Sequence, residues 1–428
     1  MTFNRFPKEA YVWVWLPGKV EPVPAGRIVK QGEQYLFNYG KSYLNRPDAI
    51  SIFKDELPLQ SGIQYPQKGL RMPGCLRDAA PDAWGRRVIL NRLMGSAGKA
   101  AETNELDELV YWLESGSDRI GALDFQASPT TYTPRQTKAD SLDELMHASE
   151  LVEKGVPLSA ELGQALFHGT SLGGARPKAV IQDNHQSYIA KFSSSTDTHN
   201  VVKFEYMAMR LAFEAGLNVA PVQWVNTSGK DVLLVKRFDR EYTEHGWTRK
   251  AMVSILTLLG LDEMMARYAS YEDVTHRIRQ EFTDPKTTLH ELFARLTFNI
   301  LCGNTDDHAR NHAAFWDGQA LKLTPAYDVC PQPRVGQEAS QAMLIQGSVR
   351  LSQLSLCVSA APIFQLTESE ARDIIDAQVD TIRRCWSEVA QEVELSEVDH
   401  HTLLSRAFFN PFAFDGYGPQ PPSPAFRL

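Results

Sequence analysis

The residues best suited to chemistry lie in one short stretch, Cys302-Gly303-Asn304-Thr305-Asp306-Asp307-His308-Ala309-Arg310-Asn311. Asp306 stands five positions before Asn311. Phosphoryl transfer needs a carboxylate to accept the hydroxyl proton and an amide oxygen nearby to hold a metal ion. The kinase catalytic loop meets that need at the same interval. Downstream, Asp317-Gly318 signals a hairpin turn between extended runs at 311–316 and 320–323. The second run leads through Thr324-Pro325-Ala326-Tyr327 to Asp328, where a kinase places its second metal-binding carboxylate. Asp306 thus reads as the base, and Asn311 and Asp328 as ligands of Mg²⁺.

Other readings of these residues exist. A bare D-x-x-x-x-N arises often by chance, and Asp306, Asp307 and Asn311 would also suit helix or turn caps. The apolar helix before the stretch, the hairpin after it and Asp328 beyond favour the catalytic reading. His308 and His312 are four apart and flanked by carboxylates, which raises a metallohydrolase site. H-E-x-x-H is absent, however. The Asp307-His308 order also reverses the His-Asp pair of metal-dependent phosphohydrolases. His308 is expected to buttress the loop instead.

A second segment is Thr170-Ser171-Leu172-Gly173-Gly174-Ala175-Arg176-Pro177-Lys178. Paired glycines before a strand let backbone amides approach an anion, although a tight turn reads equally well. No G-x-x-x-x-G-K-[ST] occurs in the chain, so this is not a Walker A loop. Lys191 falls in the strand after the next hairpin and Glu205 in the following helix, which is the order of a kinase's strand lysine and helix glutamate. The plainer reading of Lys191 is an edge-strand lysine with its head in solvent. The run Val232-Leu233-Leu234-Val235-Lys236-Arg237-Phe238-Asp239-Arg240 looks like a buried strand with a polar exit. A hinge carrying adenine on backbone groups would fall there.

The elements that must position these residues read as α+β. Short β-type runs at 11–16, 26–29, 35–39 and 50–53, broken by Gly and Pro, mark a β-rich unit over 11–57. Helical periodicity marks 81–93, with Asp82 as N-cap, then 105–115 and 141–153. A stretch rich in Ser, Thr, Pro and Gln at 128–137 suggests a linker. A hairpin at 178–192, a helix at 202–215 and strands at 218–225 and 231–236 follow. From Met252 onward the pattern is mostly helical, with runs at 254–259, 262–268, 288–301, 368–389 and 396–408, ending in a tail rich in Pro and aromatics after Asn410. The expected division is 1–127, 138–245 and 246–428. A β-rich part followed by a helical part is what a two-lobed, protein-kinase-like fold requires.

Bulk properties bound the partners. A chain of 428 residues exceeds one ordinary core, so two or three packed units are expected. Net charge is −8, whereas a protein that grips nucleic acid alone shows a basic surplus. Any DNA contact is therefore expected to be local or borrowed from a partner. The five cysteines are widely spaced with no C-x-x-C, which fits a reducing cytoplasm. The stretch 1–17 has no apolar run long enough for a signal core or a bilayer span and reads as a first strand.

Four stretches occur in an order that resembles the HipA family of toxin kinases: Pro81-Asp82-Ala83-Trp84-Gly85-Arg86, Ser171-Leu172-Gly173-Gly174-Ala175-Arg176-Pro177-Lys178, Val235-Lys236-Arg237-Phe238-Asp239-Arg240, and Asn304 through Asn311 with Tyr327-Asp328. The resemblance covers nearly the whole chain. It implies a β-rich N-terminal subdomain, an ATP-binding lobe and a helical lobe. It implies ATP-dependent phosphorylation of Ser or Thr on a protein, in some members an aminoacyl-tRNA synthetase, with growth arrest as the outcome. It implies ATP and Mg²⁺ as cofactors, with Asp306, Asn311 and Asp328 catalytic. Ser171, Gly173, Gly174, Ala175, Lys178, Lys191, Lys236, Phe238 and His308 would lie around the nucleotide. Ser171 matches the position at which members autophosphorylate. The implied partner is a HipB-like helix-turn-helix antitoxin dimer that carries the DNA contact. The sequence departs from the family's pattern at Arg176-Pro177, Asn304 and Asp307. The rival readings are a small-molecule phosphotransferase, which usually has His where Asn304 stands, and a non-catalytic corepressor.

Overall fold

In a computed structural model of the chain, residues 7–95, 101–103, 105–135, 141–159, 162–163, 166, 174–183, 185–336 and 338–422 are described. Ser171 and Gly173 lie outside them. The chain divides into two compact units. The first is Met1–Thr196 with Asn226–Val253 and Phe315–Gln319, and the second is Asp197–Val225 with Ser254–Ala314 and Ala320–Leu428.

The first unit opens with an antiparallel sheet of β1 (Glu9–Val14), β2 (Val23–Gln31), β3 (Gln34–Tyr39) and β4 (Leu123–Gln126), ordered β3-β2-β1-β4. Helices α1 (Ala83–Met94) and α2 (Glu108–Glu114) precede β4 in the chain. Aromatic side chains build the core: Trp112 stacks on Phe125 at 4.7 Å, and Tyr35 meets the Trp112 ring edge-on at 5.6 Å. The expected strand at 50–53 does not form, and Phe53 makes only a single bridge to Leu57. The Ser/Thr/Pro stretch that suggested a linker is largely exposed up to Arg135 but is anchored at two side chains. Tyr132 lies against Trp13 at 5.3 Å, and Arg135 pairs with buried Asp124 at 2.8 Å. Turn-rich composition says nothing about such side-chain anchors.

The same unit holds helix α3 (Leu142–Lys154) and a second set of strands: β5 (Lys178–Gln182), β6 (Ser187–Phe192) and β8 (Lys230–Lys236), with β7 (Val222–Thr227) between the last two in sequence. β5 pairs antiparallel with β6, which puts Lys178 opposite Lys191, and β8 pairs with β6, which puts Lys236 opposite Tyr188. A hairpin of β9 (Arg240–Thr243) and β10 (Gly246–Arg249) follows, where the sequence pattern gave no strand signal.

The second unit is mostly helical, with α4 (Val201–Glu214), α5 (Ile255–Leu258), α6 (Tyr271–Glu281), α7 (Pro285–Cys302), α8 (Leu354–Ala360), α9 (Glu368–Glu392) and α10 (Glu397–Arg406). The helical run expected over 262–268 reduces to one 3-10 turn, Ala266–Tyr268. Helix α7 is the buried spine. Asp284 caps its start by accepting from Thr287 N at 3.3 Å, and Pro285 occupies the first turn, where its missing N–H costs nothing. Leu289, Leu292, Phe293, Leu296, Phe298, Ile300 and Leu301 are buried. Gln378 of α9 ties to it from the side, accepting from Thr297 Oγ1 at 2.9 Å and donating to Ala294 O at 2.7 Å. The helix stops at Gly303, whose φ of +72° closes a left-handed cap, with Asn304 N bonded to Asn299 O at 2.8 Å. A Cβ at Gly303 would lie 2.6 Å from Ala407 O, so both the turn and the close approach require glycine.

Candidate active site

The cap at Gly303 delivers the chain directly into the Asp306–Asn311 stretch. Asn304 is 2% exposed and does two jobs. Its amide nitrogen donates to Asn299 Oδ1 at 3.0 Å, and its amide oxygen accepts from Asp306 N at 3.3 Å. His308 N bonds Asp306 O at 2.9 Å, and Asn311 N bonds His308 O at 2.8 Å. These bonds curl the stretch into a compact loop, and the Asn311 side-chain amide closes it on Asp306 O at 3.1 Å.

The two neighbouring aspartates face opposite ways. Asp306 is exposed, and Asp307 is 2% exposed. Partial burial raises the Asp306 pKa, the carboxylates of Asp328 and Asp307 raise it further, and His308 opposes them. Burial also works to raise the Asp307 pKa. The charge of His312 and hydrogen bonds from His312, Tyr271 and Asn299 outweigh it, and the net shift is downward. A carboxylate that is accessible and more basic than usual suits proton acceptance.

Asp328 arrives from the strand pair β11 (Ala313–Trp316) and β12 (Leu321–Leu323). Its own φ is +59°, a left-handed conformation uncommon outside glycine, which Asn and Asp tolerate best. Anchors on the residues just before it hold it. Arg295, 2% exposed, donates to Thr324 O at 2.8 Å, Ala220 N bonds Ala326 O at 2.9 Å, and the Tyr327 hydroxyl donates to Arg310 O at 2.7 Å. The last bond ties the Asp328 strand to the Asp306 loop.

Among the described residues no group of three or more His, Cys, Asp or Glu side chains gathers as a metal cluster. The donors present still fit Mg²⁺. That ion takes one or two carboxylates and completes its shell with water and phosphate oxygens. Because the Asn311 nitrogen is engaged with Asp306 O, its oxygen is the atom that would face such an ion, and Asp328 would supply a carboxylate.

In the first unit, Gly174 has a φ of +99°, and a Cβ there would collide with Lys178 Nζ. Lys178 is 3% exposed and its ammonium is thus folded under the glycine turn. Asp82, expected to cap α1, stands at the N-cap position but makes no side-chain cap. Its carboxylate instead accepts from Gly174 N, because the turn offers a backbone donor within reach. Trp84 follows suit: its backbone N–H reaches Gly174 O at 3.4 Å, and its indole donates to Lys178 O at 3.1 Å. The Pro81–Arg86 motif is therefore an anchor for the glycine turn, a role its sequence did not reveal. Ala175 lies in the same turn, and Lys191 faces Lys178 across the β5–β6 pairing.

The Val235–Arg240 motif alternates. Lys236 and Phe238 are half-buried, while Arg237 and Asp239 are 4% and 3% exposed. Arg237 pairs with Asp118 at 2.9 Å and Asp239 at 2.8 Å, Arg240 with the same two at 2.8 and 3.0 Å, and Asp239 Oδ2 accepts from Gly121 N at 2.8 Å. The charged half of the motif thus docks on the segment just before β4. Phe238 meets Phe315 edge-on at 5.9 Å.

Residues 170–386 match the model of the HipA-like C-terminal domain, and residues 14–126 that of the HipA N-terminal domain. The chain belongs to the HipA family. Over 184 residues it is 26% identical to the serine/threonine-protein kinase toxin HipA of Shewanella oneidensis, covering 37% of this chain and 42% of that one. Over 147 residues it is 31% identical to the kinase-named protein Y4mE of Sinorhizobium fredii, covering 33% of each. The matched stretches therefore span less than half of these relatives. A chain from the solved complex of Shewanella oneidensis MR-1 HipA, HipB and operator DNA superposes with a TM-score of 0.64, covering 92% of this chain and 94% of that one at 17% identity. That likeness is one of fold, and the α+β, kinase-like fold expected from the sequence is the fold observed.

Proposed function

We propose that this HipA-family protein is an ATP-dependent serine/threonine protein kinase that acts as a growth-inhibiting toxin. The observation that carries the reading is the loop itself. It holds an exposed carboxylate of raised pKa, Asp306, beside an amide oxygen, Asn311, and a second carboxylate, Asp328. In the transfer step, Asp306 takes the proton from a Ser or Thr hydroxyl. That oxygen bonds to the γ-phosphorus as the bond to the β-phosphate oxygen breaks and ADP leaves. Mg²⁺ held by Asn311 and Asp328 would neutralise phosphate charge. Gly174, Ala175, Lys178, Lys191, Lys236 and Phe238 are the residues proposed for nucleotide contact, Ser171 and Gly173 belong to the same glycine segment, and Ser171 is the proposed autophosphorylation site. His308, which is half-buried, is proposed to support the loop.

The proposed partners are a cytoplasmic protein substrate, an aminoacyl-tRNA synthetase being one possibility the family suggests, and a HipB-like antitoxin that carries the DNA contact. The complex in which the Shewanella oneidensis protein was solved supports the second partner. No helix of the described residues is long and apolar enough to cross a membrane. The test is incubation with γ-labelled ATP, Mg²⁺ and total cytoplasmic protein. One or a few labelled bands that vanish with Asp306→Ala and with EDTA are expected. ATP turnover that labels a sugar or antibiotic and no protein would instead establish a small-molecule phosphotransferase.

A further inference from the structure

The sequence posed a question at Asp307 and His312 that phosphoryl transfer leaves unanswered. Neither residue is needed as base or magnesium ligand, yet both are almost fully buried, at 2% and 3% exposed. Asp307 Oδ1 lies 2.8 Å from His312 Nε2, and Asp307 Oδ2 accepts from the hydroxyl of Tyr271, itself 0% exposed, on the first turn of α6. The backbone around the pair is held as well. Ile255 N bonds His312 O at 2.8 Å, and Leu256 N bonds Ala309 O at 3.1 Å.

The sequence positions of the pair matter. Asp306 immediately precedes Asp307, and Asn311 immediately precedes His312. The buried contact therefore joins the two points from which the reacting carboxylate and the amide proposed to bind metal project. A peptide unit has only two soft dihedrals per residue, so fixing residues 307 and 312 largely fixes the directions of 306 and 311. The contact between the Asp307 carboxylate and the His312 ring is short and shielded from water, where the pairing of polar groups counts for more than in solvent.

We propose that Asp307, His312 and Tyr271 form a positioning staple beneath the catalytic loop, which sets the spacing of Asp306 and Asn311 without touching substrate. The proposal rests on the kinase reading for its rate effects and on geometry alone for its effect on the loop. His312 holds the staple through its ring nitrogen beside the Asp307 carboxylate, and the Tyr271 hydroxyl, donating to the same carboxylate, ties it to α6.

Three variants separate positioning from mere packing. His312→Phe keeps ring volume and loses the donor. His312→Gln keeps an N–H near the Nε2 position. Tyr271→Phe removes one hydroxyl and little else, and it serves if His312→Phe does not fold. Phosphoryl-transfer kcat, nucleotide KM, melting temperature and amide hydrogen exchange across 304–312 are measured for each. The expected result for His312→Phe is a kcat lowered about 10- to 100-fold, the range seen when partners supporting a site's direct ligands are lost. Its KM should be unchanged, its exchange should be faster within 304–312 only, and His312→Gln should recover most of the rate. Tyr271→Phe should shift kcat and exchange in the same direction by less. Equal loss in the Phe and Gln variants, or a kcat that simply tracks melting temperature, overturns the proposal. Should the wild type transfer no phosphate, the kinase reading fails. The exchange measurement still decides the staple, since unchanged protection at 304–312 in both His312→Phe and Tyr271→Phe refutes it.

Discussion

The side-chain nitrogen of Asn311 donates to the backbone carbonyl of Asp306 at 3.1 Å, so the loop orients the side-chain oxygen proposed to hold Mg²⁺. An Asn311→Asp variant keeps an oxygen for the cation but sets a second acceptor against that carbonyl. The bond is lost and the side chain is repelled from its place. A fall of about 10- to 100-fold in phosphoryl transfer is expected, read from initial rates at saturating Mg-ATP. Undiminished turnover would mean that the intraloop bond does not orient Asn311.

Asp306 gives a second prediction, through pH. Its pKa is raised by burial and by Asp328 and Asp307, so the acid limb of the pH–rate profile should lie above the ordinary carboxylate range. The stability sign follows from linkage. A carboxylate whose folded pKa exceeds its unfolded pKa favours the unfolded state once the pH is above both. Asp306→Asn should therefore abolish transfer while holding or raising the melting temperature at neutral pH. The difference should disappear below about pH 4, where both states are protonated. A variant that melts well below wild type at neutral pH would contradict the geometry described.

Much of this site could be read from the order of residues, because its constraints are local. Asp306, Asn311 and the Asp317-Gly318 turn before Asp328 lie within 23 residues of one another, and turn chemistry is written in adjacent positions. What could not be read depends on distant partners. Asp82 looked like a helix cap until the Gly174 amide, 92 residues away, appeared beside it. The docking of Arg237 and Asp239 on Asp118 and Gly121 is equally remote, and no spacing in the sequence predicts it. His312 left no signal of burial, since a lone histidine before a strand carries no period.

Gly174 gives a third prediction. With φ at +99° and Lys178 Nζ directly under it, alanine is both strained and in collision with the ammonium. Lys178 must move, and the anchors from Asp82 and Trp84 must shift with the turn. Nucleotide affinity of Gly174→Ala should fall by about tenfold or more, as expected from about 1–2 kcal/mol of left-handed strain. Equilibrium binding of a non-hydrolysable ATP analogue checks this. Full affinity would remove the glycine turn from the nucleotide site.

Gly303 offers a test of the scaffold. Its left-handed cap and its approach to the Ala407 carbonyl both exclude a side chain. Gly303→Ala should destabilise the second unit by about 2–4 kcal/mol, adding backbone strain to overpacking. Denaturant titration followed by a probe in that unit gives the value. A change under 1 kcal/mol would show that α10 and its following turn move aside freely, in which case the loop's entry is not fixed by this contact.

The buried ion cluster of the first unit makes the last prediction. Asp118 sits among Arg237, Arg240 and Arg249. Burial works to raise its pKa, but the three guanidiniums outweigh that and hold it well below the ordinary range. A folded pKa below the unfolded one contributes stability above the unfolded value, near pH 4, and loses it as the pH falls towards the folded value. Asp118→Asn removes one carboxylate from the cluster and leaves Asp239 as the carboxylate paired with both Arg237 and Arg240. A loss of about 3–5 kcal/mol is expected at pH 7, the range for breaking a buried pair from one side. Wild type loses part of the same stabilisation in acid as Asp118 of the unfolded chain protonates while the folded carboxylate stays ionised, so the gap between the two proteins should narrow below pH 4. Urea unfolding at pH 7 and pH 3 measures both. A gap that is constant with pH would mean that the asparagine disturbs packing rather than charge. No gap at all would mean that the anchoring of Val235–Arg240 on the segment before β4 does not depend on this carboxylate.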